Sequence, residues 1–470
     1  NLTINGNSGF RMMSSPVPGA KLSDLLDELW IQGMTGGDVS TSDANVWVLD
    51  LAGQSWSAVS NISTHSLSAG QGFLVYIFDD CDNDGSSDLP VDLYISGSHN
   101  QNNVIINSIP QNNYFLAGNP YIKTISWNDI SKTNLSSVVS VWDDASSDWK
   151  TYNGTSGDLT NGLIAPFQGF WVQAIGGVGS FTIQTDDIAT SSTSFRNSNS
   201  QDTNSFIRLS FSTGSKSDNI FFTFDSSGSK EFDHKDAPKL APLIKSPRIA
   251  AMIISEGITY KINNLPSYYD SVMTFPLQIL SLNLDSTDNI LGIEDTVSLN
   301  IDESNIPFGM NFDIYDSFAG IRYDFDELQE FQIITDYLGN IEFDGSTPIN
   351  QYLNYGNHRY YISIYYSSLG EISNEIFPTS HQLFQNIPNP FNQKTIINYN
   401  LIKKQIVEIA IYDVTGRKVK TLINELQDTG LKTIKWNGKD DYGNNVSTGI
   451  YIYSIMAGTY RDNKKMILVK

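Results

Sequence analysis

One cysteine, Cys81, stands in 470 residues, so no intrachain disulfide framework holds this chain together. Its stability has to come from packed side chains. Charge is also scarce: Asp, Glu, Lys and Arg make up 17% of the residues, against about 25% in ordinary soluble domains. Basic residues are the scarcer kind, with 29 Lys and Arg facing 51 Asp and Glu for a net charge of −22. A body this acidic repels phosphate backbones, so nucleic acid is not an expected partner. No apolar run reaches roughly eighteen residues, so no transmembrane segment is expected. No signal peptide is visible, and from Asn1-Leu2-Thr3 the sequence reads as a mature chain or a piece of a longer one. The five histidines (His65, His99, His234, His358, His381) are scattered. HExxH zinc helices, GxSxG elbows and phosphate loops are missing, so no catalytic residue is assigned and no enzyme is expected.

What the sequence has in quantity is Ser, Asn, Thr, Gly and Tyr in short stretches where apolar and polar residues alternate, the period of a half-buried strand. The expected fold class is all-β, with several β-sandwich or Ig-like domains in series and one short helix in the N-terminal domain. The expected organisation is a duplicated β-domain over 1–187 (halves about 9–95 and 100–187), a linker at 188–203, a β-sandwich at 204–372 and an Ig-like domain at 381–470.

The duplication rests on phrases that occur twice. Met12-Met13-Ser14-Ser15-Pro16 parallels Leu116-Ala117-Gly118-Asn119-Pro120. Trp47 and Trp56 parallel Trp142 and Trp149, and Gly70-Gln71-Gly72-Phe73 parallels Phe167-Gln168-Gly169-Phe170. Seven of the eight tryptophans fall before residue 172. Exposed, they would form a platform for sugar rings, which makes surface polysaccharide a candidate partner. Their recurrence at matching places favours instead the cores of two similar half-domains, for Trp47, Trp56, Trp142, Trp149 and Trp171. Lys21 to Trp30 is expected to be helical, with Leu22, Leu25, Leu26 and Leu29 on one face.

Between the halves lies Asp79-Asp80-Cys81-Asp82-Asn83-Asp84-Gly85-Ser86-Ser87-Asp88. Asp80, Asp82, Asp84 and Asp88 match oxygen-ligand positions of an EF-hand-type loop, with Gly85 at the sharp turn, and Ca²⁺ is the expected cofactor. Val91 stands where the closing bidentate Glu would be, and no helices flank the loop. The alternative is a plain acidic hairpin loop. Cys81, among these acids, is a poor nucleophile. Asp233-His234-Lys235-Asp236 is the one local meeting of His with carboxylates, as a general base, a metal ligand or a solvated loop.

Residues 381–470 carry 13 Lys and Arg against 7 Asp and Glu, a balance of +6 that leaves −28 on the rest. A basic tail on an acidic body suits a module handled by separate machinery, or a sheet with lysines on its solvated face. Asn386-Ile387-Pro388-Asn389-Pro390-Phe391-Asn392 opens this tail. Ile411-Tyr412-Asp413-Val414-Thr415-Gly416-Arg417, Trp436-Asn437-Gly438-Lys439-Asp440 and Gly449-Ile450-Tyr451 follow, and Lys464-Lys465-Met466 leads into the apolar end. The tail resembles the type A C-terminal sorting domain of proteins exported by the type IX secretion system, and is similar to the Ig-like domain of flagellar hook-capping proteins. Gln393 departs from the second proline that the pattern usually has. The N-terminal block, and Phe232 to Leu240 in the middle, also resemble segments of such exported surface proteins.

The resemblance implies type IX secretion machinery as a partner through the C-terminal domain. It implies an address at the outer surface of a Bacteroidota-like bacterium, and Pro388, Asn389, Pro390, Phe391, Asn392, Gly416, Lys464 and Lys465 as sorting-signal residues. The expected role is a non-enzymatic structural or adhesive surface protein, self-assembling through strand edges into a filament or layer. The other role is a carbohydrate-binding accessory region of a secreted hydrolase.

Overall fold

The computed structural model describes residues 1–191, 205–269, 271–324, 330–335, 338–341, 343–344, 351–354, 358–366, 381–384, 386, 389, 391–392, 394–401, 404–427 and 430–469. Among these, strand follows strand, with a single α-helix, Leu22–Leu25. The chain divides into two compact units. One holds residues 1–268, 279–307 and 330–353, the other 269–278, 308–329 and 354–470. The division runs through the 204–372 segment, and residues 192–203 of the expected linker lie outside the described residues.

The first unit begins with two four-stranded sheets built on one plan. In one, the strands run Gly9–Ser14, Gly72–Ile77, Val46–Asp50, Ser55–Ala58. In the other they run Tyr114–Gly118, Gly169–Gln173, Val139–Asp143, Asp148–Tyr152, each taking the place of its counterpart. The hydrogen bonds joining the sheets are reciprocal. Ser14 N donates to Phe167 O (2.8 Å), and the matching Gly118 N donates to Gly70 O (2.9 Å). Met13 bridges Gln168, and Ala117 bridges Gln71. Gly70 and Phe167 both take positive φ, +80° and +61°. The two halves therefore meet as a pseudo-two-fold pair, through the same patch on each.

This joint explains the repeated Gln-Gly phrase. A Cβ on Gly72 would lie 2.5 Å from Ala117 O, and one on Gly169 would lie 3.0 Å from the backbone of Met12 and Met13. Backbone cannot retreat as a side-chain tip can, so Gly72→Ala is expected to cost about 1–3 kcal/mol, read by chemical denaturation.

The tryptophans do not divide into two half-domain cores. Each half has its own cluster, around Phe73 and Val75 in one and around Trp127, Phe170 and Phe181 in the other. Trp142, Trp149 and Trp171 instead join Met12, Leu74, Tyr114 and Leu116 in a third cluster shared by both sheets, with Trp47 and Trp56 half-buried against it. Trp56 stacks on Trp171 with ring centroids 5.6 Å apart. The expected ten-residue helix shortens to four. Lys21 supplies no side-chain cap and Leu26 leaves helical geometry at its C-cap, so the segment turns early. All four leucines are buried nonetheless.

Further strands of this unit run in the order Arg248–Ser255, Ile258–Pro266, Lys216–Asp225, Phe206–Thr213, Thr296–Ser304, Glu330–Ile334. Lys216–Asp225 pairs in parallel with Ile258–Pro266; Phe206–Thr213 pairs antiparallel with both of its neighbours.

The second unit contains an Ig-like sandwich. Three strands, Gln382–Leu383, Thr395–Leu401 and Gly430–Trp436, form one sheet. Phe391–Asn392, Tyr460–Val469, Gly449–Ala457, Gln405–Asp413 and Lys418–Gln427 form the other. Alternate residues point inward, so Ile397, Tyr399, Val407, Ile409, Ile411, Trp436, Tyr453 and Ile455 make one core. That core is drawn entirely from residues 383–468.

Candidate functional site

The acidic loop follows strand Gly72–Ile77 and precedes strand Val91–Leu93. Its own backbone shapes it. Asp84 N and Gly85 N donate to the two oxygens of Asp80 at 3.1 and 2.9 Å, Asp84 N also reaches Asp82 Oδ1 at 3.1 Å, and Cys81 N donates to Asp88 Oδ2 at 2.7 Å. Gly85 takes φ +93° at the turn. The result brings one carboxylate oxygen each from Asp80, Asp82 and Asp88 within 4.8 Å of one another. Two Ca–O bonds of about 2.3–2.6 Å span that distance, so these three residues fit a calcium ion. Asp84 does not join them; its Oδ1 accepts from Ser86 N at 2.8 Å. Val91 leans on the apolar core instead of facing the loop.

Calcium held by three carboxylates and no bidentate Glu would bind in the weak extracellular class, about 10⁻⁴–10⁻³ M. Calcium at roughly ten times that Kd is expected to stabilise the fold by about 1.4 kcal/mol. A thermal melt with calcium and with chelator checks it, and Asp80→Ala with Asp82→Ala abolishes the shift. Cys81 is buried, and burial with the surrounding carboxylates pushes its thiol up to about 11. It is held as the thiol, not the nucleophilic thiolate.

Asp233 to Asp236 form a stitch. The His234 ring is exposed, while its carbonyl accepts from Ser137 N at 2.7 Å and Ser136 Oγ at 3.0 Å. Lys235 pairs with Asp225 at 2.6 Å. Asp236 is 1% exposed and accepts from Asn264 N (2.6 Å), Asp233 N (2.8 Å) and Asn263 Nδ2 (3.3 Å). Burial outweighs these donors and pushes its carboxyl up to about 7. The folded chain thus keeps a proton that the unfolded chain releases near 3.8. The resulting stabilisation, up to about 4 kcal/mol, is fully present below about pH 3.8 and lost as pH rises to 7. Denaturation curves at pH 5 and pH 8 are expected to show this fall, and Asp236→Asn to flatten it.

A second cluster in the first unit was not legible in the sequence. Lys261 Nζ lies 2.8 Å from Asp158, 3.5 Å from Asp148 and 4.0 Å from Asp218. Lys239 Nζ lies 2.5 Å from Asp218 and 3.9 Å from Asp148. Lys239, Lys261 and Asp218 are each at most 2% exposed. No spacing rule unites residues 148, 158, 218, 239 and 261. The one sequence signal is that Lys239 lies within the Phe232 to Leu240 phrase.

In the C-terminal sandwich the opening motif is tied to the terminal strand. Phe391 pairs in parallel with Leu468, and Asn392 with Val469. The Phe391 ring is buried 5.5 Å from Trp436. Asn389 Oδ1 accepts from Ile467 N at 2.8 Å, and its Nδ2 reaches Lys465 O at 3.4 Å. Asn386 is buried, donates its Nδ2 to Thr395 Oγ1 at 2.9 Å and its backbone N–H to the Tyr453 hydroxyl at 2.8 Å. Gly416 sits at φ +81° in a turn organised by Asp413, whose carboxyl accepts from Thr415 Oγ1 at 2.6 Å and from Arg417 N at 3.1 Å. These hydrogen bonds, Thr415 first, hold the Asp413 carboxyl down to about 2. Lys464 and Lys465 lie on Tyr460–Val469 opposite Tyr453 and Ile452, with Lys465 exposed. Pro388 and Pro390 lie outside the described residues.

Among the described residues no helix is long and apolar enough to cross a membrane. Residues 397–460 match the family described as FlgD Ig-like domain. Sequence comparison with curated proteins gives no match. Among solved structures the chain is similar to dimeric latent PorU from Porphyromonas gingivalis, at 12% identity and TM-score 0.18, over 87% of this chain and 36% of that one. It is also similar to PorZ, described as an essential bacterial surface component of the type-IX secretion system of Porphyromonas gingivalis, at 13% identity and TM-score 0.15, over 86% of this chain and 50% of that one. The chain spans about a third to a half of the length of these two structures. The match that carries weight is the FlgD Ig-like one, and it describes the C-terminal sandwich only.

Proposed function

We infer that this chain is cargo of a type IX secretion system, addressed by residues 381–470 and placed outside the cell as a non-enzymatic structural or adhesive protein. The observation that carries the reading is the C-terminal sandwich. Its core is self-contained, and the motif residues Asn389, Phe391 and Asn392 are tied to the strand that bears Lys464 and Lys465. An addressing module has to be legible without its cargo, and a motif clamped to the chain's last strand presents both ends of the signal together. Type IX machinery is the partner of this module, and the outer surface of a Bacteroidota-like bacterium is the destination.

In this reading calcium tightens the acidic loop, and copies join through strand edges into a filament or layer. The sugar-platform alternative loses its main support, because Trp142, Trp149 and Trp171 are buried and Trp47 and Trp56 lean on them. Electron microscopy of the purified chain, with calcium and with chelator, tests the structural role. Ordered filaments or sheets are expected, and monodisperse single particles under both conditions would contradict self-assembly.

A further inference from the structure

The cluster around Lys239 and Lys261 encloses one pair more deeply than the rest. Lys239 and Asp218 are 2% and 1% exposed, while Asp148 and Asp158 keep 21% and 11%. Separated charge is costly in so dry a place, and one proton passed from Lys239 to Asp218 leaves the pair neutral. Lys261 spends its charge on Asp158 and Asp148, at 2.8 and 3.5 Å, and donates to Trp149 O at 2.8 Å. Asp218 is left with Lys239 as its nearest cation. Burial, the largest influence on that carboxyl, raises its pKa against the pull of Lys239, and Asp148 adds to the shift.

Around this carboxyl stand the parts of an acyl-transfer site. Lys239 Nζ is in contact with Asp218 Oδ2 at 2.5 Å. Ala251 N donates to the same oxygen at 2.8 Å, from strand Arg248–Ser255, where it can stabilise an oxyanion. Asp148 Oδ2 lies 3.9 Å from Lys239 Nζ and stays ionised beside Lys261 at 3.5 Å. Asp218 is fixed on strand Lys216–Asp225, and Lys239 directly follows strand Ala237–Pro238. Nucleophile and acceptor are thus held in place and dry, which removes the main entropic barrier to such a reaction.

We propose that Lys239 and Asp218 join in an intramolecular amide bond, a covalent tie within the first unit of a chain that has no disulfide. The step balances. The Lys239 ammonium passes one proton to the Asp218 carboxylate it touches. The amine nitrogen then bonds to Asp218 Cγ, the C–OH bond breaks, and the hydroxyl leaves as water with a second proton from the nitrogen. One N–H remains on the amide. No oxidant, nucleotide or metal takes part. Lys261 stays charged throughout and balances Asp148 and Asp158.

Mass spectrometry of the purified full chain tests this. The expected intact mass is lower than that of the sequence by one water. Trypsin is then expected to release Ser217–Lys230 covalently joined to Asp236–Lys245, uncut after Lys239. Lys239→Arg keeps the charge but cannot form this amide, and is expected to show the full sequence mass while remaining folded by circular dichroism. Asp218→Ala, which removes the acyl group, is likewise expected at the full mass of its own sequence. A folded wild-type chain at its full sequence mass, with Lys239 open to trypsin after denaturation, overturns the proposal. So does loss of one water that persists in Lys239→Arg.

Discussion

Replacing Lys261 by Met is expected to destabilise the first unit by about 3–5 kcal/mol, because it leaves buried carboxylates without their cation. Lys261 is 2% exposed and meets Asp158, Asp148 and Asp218 within 4.0 Å. Burial opposes its charge, but Asp148 and Asp158 above all outweigh burial and raise its pKa. The same ion pairing holds the Asp148 carboxyl well below the ordinary carboxylate range, against its burial. A folded pKa lowered at Asp148 gives stability that is present above the ordinary carboxylate pKa and lost as pH falls through the folded value. Lys261→Met is therefore expected to be most damaging near neutral pH and less so in acid, where the stranded carboxylates take up protons. Urea denaturation of both chains at pH 7 and pH 4 measures the difference. A uniform loss at both values would mean that only packing was removed.

Trp171→Ala is the second large effect, at about 3–5 kcal/mol. Trp171 is 2% exposed, stacks on Trp56 and lies with its ring centroid 5.9 Å from that of Tyr114, in the cluster shared by the two sheets. Its loss opens a cavity that neither half can close alone. Trp56→Ala removes a half-buried ring from the same stack, and about 1–2 kcal/mol is expected there. Thermal melts of the two variants order these effects. Equal and small shifts would return the tryptophans to the surface, and with them the sugar platform.

The strands were legible because a half-buried sheet imposes period two on its residues, and Val407 to Tyr412 or Ile450 to Ile455 show it plainly. The acidic loop and the C-terminal motif were legible because their residues are neighbours in sequence. Two things escaped. The helix at Leu22 was overread, since four buried leucines at helical spacing report burial rather than the length of the helix. The tryptophans were assigned to two cores because repetition shows that two sites are equivalent, not that they face one another. Only the reciprocal bonds of Ser14 and Gly118 show that they do. The ionic cluster had no local pattern, since its five members come from separate strands and loops of the first unit.

The most direct measurement is an export assay. Residues 381–470 are fused behind a signal peptide and a fluorescent protein and expressed in a bacterium with an intact type IX system and in one lacking it. The expected result is fluorescence at the cell surface or in the medium of the first and in the periplasm of the second. Retention in the periplasm of both would contradict the addressing role of the C-terminal sandwich.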